Sequence, residues 1–160
     1  MRVSLLLLIA AVTSTTSPVD GRYWLAGELL INNLRAQSPK FEGVASREYS
    51  YRDLNHDNVY EIIEAINHVE ETSPGLLNTE LAPAFELHQV YTYRGGKFQK
   101  NYKLFADYLE QRIAFYTFWK RQIQNPSLLS DDSQALIREN KAIFLQELDR
   151  LIGLLQKVPG

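Results

Sequence analysis

The stretch AFELHQVYTYRGGKF, residues 84–98, limits the folds open to this chain more than any other. Its apolar side chains fall on alternate positions, with Phe85, Leu87, Tyr91 and Tyr93 on one face. A period of two marks a strand with one buried face. Gly95 and Gly96 tolerate the positive φ of a tight two-residue turn, and Lys97 and Phe98 begin a return strand. An antiparallel hairpin is therefore written into the middle of the chain. The same period opens at Arg47: Tyr49 and Tyr51 point one way, Ser50 and Arg52 the other. A small antiparallel meander follows.

Helical spacing takes over on both flanks. Residues 22–36 predict a helix, with Leu25, Leu29 and Asn32 or Asn33 on one side and Trp24, Leu30 and Leu34 beside them. Ser38 and Pro39 end it. Residues 102–124 carry a stripe of Phe105, Tyr108, Leu109, Tyr116, Trp119 and Ile123. Asn125-Pro126 breaks it, because the residue before proline avoids helical angles. Ser130, Asp131, Asp132 and Ser133 supply N-caps and negative charge for a last helix. That helix buries Ile137, Phe144, Leu148, Leu151 and Leu155, with one place skipped at Lys141. Its short connection predicts antiparallel packing against the helix before it. The expected fold class is α+β: an N-terminal helix, a small antiparallel β-meander with an acidic loop, and a C-terminal antiparallel helical hairpin on one sheet face.

The first residues, MRVSLLLLIAAVTSTTS, stand apart from that fold. Arg2 and the amino terminus make a positive start, and Leu5 to Val12 is an unbroken apolar run. It is shorter than the roughly 20 residues a bilayer-spanning helix needs. Val12 and Ser14 suit the −3 and −1 positions of a signal-peptidase site. Residues 1–17 read as a secretory signal peptide and 18–160 as one domain, which places the protein in the periplasm or outside the cell. An N-terminal anchor or a buried apolar strand is the blander alternative. The chain has no cysteine, so neither a disulfide nor a lipid anchor on cysteine is available. An exported domain without disulfides has few staples left, and a bound metal is one of them. A net charge of −2, with basic residues scattered, argues against nucleic acid as a partner.

The segment YRDLNHDNVYEIIEA, residues 51–65, supplies the chemistry for such a staple. Asp53, Asn55 and Asp57 place oxygens at alternate positions, with Glu61 and Glu64 behind them. Calcium takes six to eight oxygens at about 2.3–2.6 Å, and a tight loop with this spacing can supply most of them. The carbonyl of Val59 falls at loop position seven. Asn58 falls at position six, where positive φ is expected, and asparagine tolerates it. Without a counter-ion these carboxylates repel. A plain turn is the simpler explanation, but a turn needs only one or two such residues.

DLNHDNVYEII resembles the DLNGDGxxEI loop of FG-GAP and VCBS-type repeats, with His56 and Asn58 standing where glycines are common. The resemblance covers about one blade, residues 47–98, in a single copy, so no propeller closes. It implies strand–loop–strand geometry and Asp53, Asn55, Asp57, Val59 and Glu61 as Ca2+ ligands. Glu64, at position twelve, also fits an EF-hand loop, D-x-[DN]-x-[DN]-G-x₅-E, apart from Asn58 in place of glycine. An EF-hand needs helices on both sides. Ile62, Ile63, Ile66 and Val69 suit an exit helix, but the lead-in REYSYR has no helical face.

The three histidines, His56, His68 and His88, lack zinc-helix spacing and read as solvent-facing or hydrogen-bonded. No phosphate loop, G-x-S-x-G elbow or S-x-x-K motif is present. A two-carboxylate glycosidase remains open, with Glu61, Glu64, Glu70 and Glu71 as nominal acids. In FYTFW, residues 115–119, Phe115 and Phe118 lie beside the main stripe with Leu104. They belong either to a helix buried on both sides or to an exposed patch that docks a partner. Three readings follow: an exported, calcium-binding, non-enzymatic protein that binds another protein (an inhibitor or immunity-type protein by analogy), a small secreted hydrolase of cell-wall or sugar polymers with structural calcium, and an EF-hand-type sensor.

Overall fold

The computed structural model describes residues 21–158, and the expected leader, residues 1–17, lies outside them. The elements run in order as helix α1 (Gly21–Gln37), strands β1 (Lys40–Phe41), β2 (Val44–Ala45), β3 (Glu48–Arg52) and β4 (Glu61–Asn67), and helix α2 (His68–Thr72). A 3₁₀ turn (Ala82–Phe85), strands β5 (Glu86–Arg94) and β6 (Lys97–Lys100), and helices α3 (Ala106–Gln124) and α4 (Asp131–Gln156) complete the chain. The α+β expectation is met. β3 to β6 form one antiparallel sheet in sequence order, so β3 and β6 are its edges. Arg94 pairs with Lys97 across Gly95 and Gly96, whose φ values of 57° and 83° are those the turn demands. No helix among the described residues is long and apolar enough to cross a membrane.

Alternation along the strands sends side chains to two different layers. Ile62, Tyr91 and Phe98 face α1 and pack against Tyr23 and Ile31. Ile63 and Val90 face the other way, under Phe105 with Tyr102 and Tyr108. The largest cluster lies where α2, the 3₁₀ turn and the start of β5 meet α3 and α4, with Phe85, Tyr116, Phe144 and Leu148 all inaccessible to solvent. α3 and α4 are antiparallel: Lys120 Nζ reaches Asp149 at 2.5 Å, and Lys141 Nζ reaches the Gln124 carbonyl at 3.0 Å. Ile137, Phe144, Leu148, Leu151 and Leu155 are all buried, as their spacing predicts.

The face of α1 needs correction. Leu25 and Leu29 are 61% and 57% exposed, whereas Tyr23, Gly27 and Ile31 are buried. Hydropathy favours leucine as the inward residue. The sheet instead selects Gly27, because a side chain there would meet the Tyr51 ring, with Cζ at 3.1 Å from an added Cβ. Tyr23 also turns inward to donate to the Tyr60 carbonyl, which ties α1 to the loop before β4.

The connection from β4 to β5 is built from side-chain caps. Asn67 ends β4 and caps α2, with Oδ1 accepting from Glu70 N at 3.2 Å while Nδ2 donates to the Ala82 carbonyl at 2.9 Å. The Glu70 carboxylate accepts from Gly75 N and Leu77 N, both at 2.8 Å, and holds the turn beyond. Ser130 caps α4, and Glu80 accepts from both Ser130 Oγ and Ser133 Oγ, which joins this connection to the helical hairpin.

Candidate metal-binding loop

β3 leads in and β4 leads out, and the Arg52–Glu61 pair closes the loop between them. Strands stand on both sides, so the strand–loop–strand expectation is the geometry present. The exit helix of an EF-hand is not there. His56 and Asn58 adopt φ of 60° and 64°, the left-handed conformation, at positions four and six. These are the two positions where the resembling loops carry glycine. The chain accepts a strained backbone at two non-glycine residues to turn inward twice.

That double turn gathers the polar groups. Asp53 Oδ1 accepts from Asp57 N at 3.1 Å, and its Oδ2 accepts from Asn58 N at 3.0 Å. Asp57 Oδ1 accepts from Val59 N at 2.7 Å, while its Oδ2 accepts from Asn55 Nδ2 at 2.9 Å. Asn55 Oδ1 accepts from Asp57 N at 3.3 Å. Asp53, Asn55 and Asp57 are thus drawn together around one another. Leu54 packs inward against the Ile63–Val90–Phe105 cluster and anchors the loop.

Glu61 sits below the loop at the first position of β4, 1% exposed. Its Oε2 accepts from Leu54 N at 3.0 Å. Burial raises its carboxyl above the ordinary value of 4.5, and the charges of Asp57 and Asp53 add to the rise, against the Leu54 N–H that lowers it. Glu61 is thus tied to the loop through Leu54 N and feels the charges of Asp57 and Asp53. Among the described residues no three His, Cys, Asp or Glu side chains stand close enough together to hold a metal ion by themselves. A cation here would need the amide and backbone oxygens as well. The donors present are all oxygens, the class calcium takes, with Asp57 exposed, Asp53 partly exposed and Glu61 buried.

Glu64 is not brought to this site. Three residues beyond Glu61 on a strand, it points to the opposite face of the sheet. Its oxygens accept from Arg47 Nη1 at 3.0 Å, Tyr49 OH at 3.3 Å and Tyr91 OH at 2.7 Å. Arg47 also binds Glu71 at 2.7 Å. Burial and Glu64 together push the Tyr49 phenol up to about 12. This buried network was not legible in the sequence, because Arg47, Glu64, Glu71 and Tyr91 share no local spacing.

His88 forms a second polar centre, on the face that α3 covers. It is buried, with Nδ1 at 2.6 Å from Tyr108 OH and Nε2 at 3.6 Å from Glu86 Oε2. Burial lowers its pKa below 6.5, and Arg112 and Arg52 add to that, against Glu86. A cleft of about 170 Å³ opens beside it, bordered by Glu48, Ser50, Arg52 and Glu86. Glu70 and Glu71, the remaining nominal acids, are committed to the turn after α2 and to Arg47. His56 and His68 are exposed.

On α3, Phe118 is 52% exposed and meets the Trp119 ring edge-on at 5.9 Å between centroids. Phe115 is half-buried, packed on the main core and under the Arg112 guanidinium at 4.5 Å. Compared with known proteins, the chain matches no family model, no curated protein and no solved structure.

Proposed function

We propose that this is an exported calcium-binding protein, without an enzymatic role, that acts by binding another protein, as an inhibitor or immunity-type protein does. The observation that supports the calcium reading is the Asp53–Asn58 turn, in which positive φ at His56 and Asn58 folds Asp53, Asn55 and Asp57 back on one another, close enough to the buried Glu61 for their charges to raise its carboxyl. Concentrated negative charge of this kind is relieved by a divalent cation. Asp53, Asn55, Asp57 and the Val59 carbonyl are the proposed ligands, completed by Glu61. Calcium would replace the Asn55–Asp57 side-chain hydrogen bond, freeing both for the ion. Its task is structural, tying β3 to β4 beyond the Arg52–Glu61 pair that closes the loop.

Phe118, with Phe115 and Trp119 behind it, is the proposed partner contact, since a large exposed aromatic ring on a supported helix face is the usual anchor of a protein interface. The hydrolase reading has one observation on its side, the cleft between Glu48 and Glu86 beside His88.

Thermal melts with calcium and with chelator, on wild type and on Asp53→Ala/Asp57→Ala, test the site. Wild type is expected to melt higher with calcium and the double variant is not. Equal melting of wild type in both conditions overturns the calcium reading. Envelope pull-downs with wild type and Phe118→Asp test the partner: a protein captured by wild type and lost with the variant supports it. Cleavage of peptidoglycan or a model glycoside, lost in Glu48→Gln or Glu86→Gln, favours the hydrolase instead.

A further inference from the structure

β3 is an edge strand, bonded on one side to β4 from Glu48–Ala65 to Arg52–Glu61. Among the described residues no other backbone group bonds to it. Glu48, Ser50 and Arg52 are exposed, and Tyr49 and Tyr51 are half-exposed. No hydrogen bond or ion pair engages the Glu48 or Arg52 side chain within the described chain. An open edge of this kind recruits another strand unless something prevents it.

The usual protection is a row of like charges, which repels a second copy. Here the charges do the opposite. Glu48 stands two residues before Ser50 and Arg52 two residues after it. When two such strands pair antiparallel about Ser50, Glu48 of each copy lies opposite Arg52 of the other. Tyr49 of each lies opposite Tyr51 of the other, on the reverse face. Parallel pairing in register would set Glu48 against Glu48 and Arg52 against Arg52. A slip by one residue would set charges against tyrosines. The sequence EYSYR is therefore self-complementary in one arrangement only.

We propose that β3 is a self-association edge, through which two copies of this chain join by antiparallel β3–β3 pairing centred on Ser50. The sheet then runs continuously through both protomers. Five residues of strand bury too little alone, since a stable interface covers about 1,200 Å² or more. The remainder would come from exposed apolar groups that flank the strand in sequence or space. Before the start lie Phe41 and Val44, 54% and 71% exposed. Against the end lie Trp24, 5.0 Å from the Tyr51 ring and 42% exposed, and Tyr60, 39% exposed. Of these, Trp24 and Tyr60 lie by the end of β3, while Phe41 and Val44 line a hollow with Glu70 and Pro74 beside α2.

The protein is expressed from its full-length sequence, so that any leader processing takes its course, and its mass in solution is measured across concentration in chelator, which keeps the neighbouring loop out of the result. Wild type is expected to dimerise. Glu48→Arg and Arg52→Glu each set like charges in both cross-strand pairs, and each is expected to weaken the dimer by about tenfold or more. Mixed one to one, the two variants are expected to form a heterodimer, because each strand then carries the charge the other lacks. The double variant Glu48→Arg/Arg52→Glu is expected to dimerise like wild type. Circular dichroism checks that every variant is folded. A wild type that stays monomeric up to about 1 mM overturns the proposal. So do single variants that dimerise as wild type does, or a mixture and a double variant that both fail to recover the dimer.

Discussion

Two glutamates three residues apart show how much a single position decides. Glu61 and Glu64 are both 1% exposed, yet they serve opposite faces of one strand. Glu64 is held by a guanidinium and two phenols. Glu64→Ala removes the acceptor of the Tyr91 and Tyr49 hydroxyls while Arg47 keeps Glu71, and is expected to lower stability by about 1–3 kcal/mol in urea denaturation. The Lys120–Asp149 pair, also short, lies at the surface. Lys120→Ala is expected to cost under about 1 kcal/mol in the same assay, because water screens that pair. His88 gives a pH signature. Its ring binds a proton less readily when folded than the ordinary histidine value of 6.5, so the unfolded chain takes up that proton first as pH falls. Stability from this group is complete above 6.5 and declines below it until the folded ring protonates as well. NMR titration should place the His88 pKa below the ordinary histidine value of 6.5, and His88→Gln should flatten the decline. An unperturbed His88 titration would contradict the burial described.

At the scale of elements, ends matter more than middles. α4 starts where Ser130 accepts from Ser133 N at 3.3 Å and donates to Glu80 at 2.6 Å. Ser130→Ala removes the cap and one of Glu80's hydrogen bonds, with an expected loss of about 1 kcal/mol in chemical denaturation. Gly96 holds φ at 83° in the β5–β6 turn. Gly96→Val is expected to cost about 1–2 kcal/mol and to weaken amide-exchange protection first in β6, because a branched residue resists the left-handed region. Protection lost first elsewhere would mean that the turn does not hold the hairpin. The hairpin and the last helix were legible in advance because their signals are local: alternation plus Gly-Gly, and an apolar stripe after a cap. α2 and the β1–β2 turn were not, since five and two residues carry no periodicity to read.

For the molecule as a whole, the proposed calcium site would link stability to its ionic surroundings. Calcium at about ten times its Kd would add about 1.4 kcal/mol, by preferential binding to the folded state. In a chain of this size that is an expected rise of a few degrees in Tm. The rise should vanish in Asp53→Ala/Asp57→Ala and persist in Glu64→Gln, whose carboxylate faces away from the loop. A calcium effect lost equally in Glu64→Gln would mean the cation acts elsewhere.

Sequence alone determined the class of fold and the loop's residues, because both rest on spacing within a few neighbours. Alternation with Gly95 and Gly96 dictates a hairpin, and Asp53, Asn55 and Asp57 meet by turning over their own short segment. Only the tertiary structure decided which face of α1 turns inward, which of Glu61 and Glu64 joins the loop, and which partners His88 keeps. Those choices depend on pairs such as Gly27 with Tyr51, Glu64 with Tyr91 and His88 with Tyr108. Such pairs are far apart in the chain, and neither member carries a mark of the other until the sheet and helices have packed.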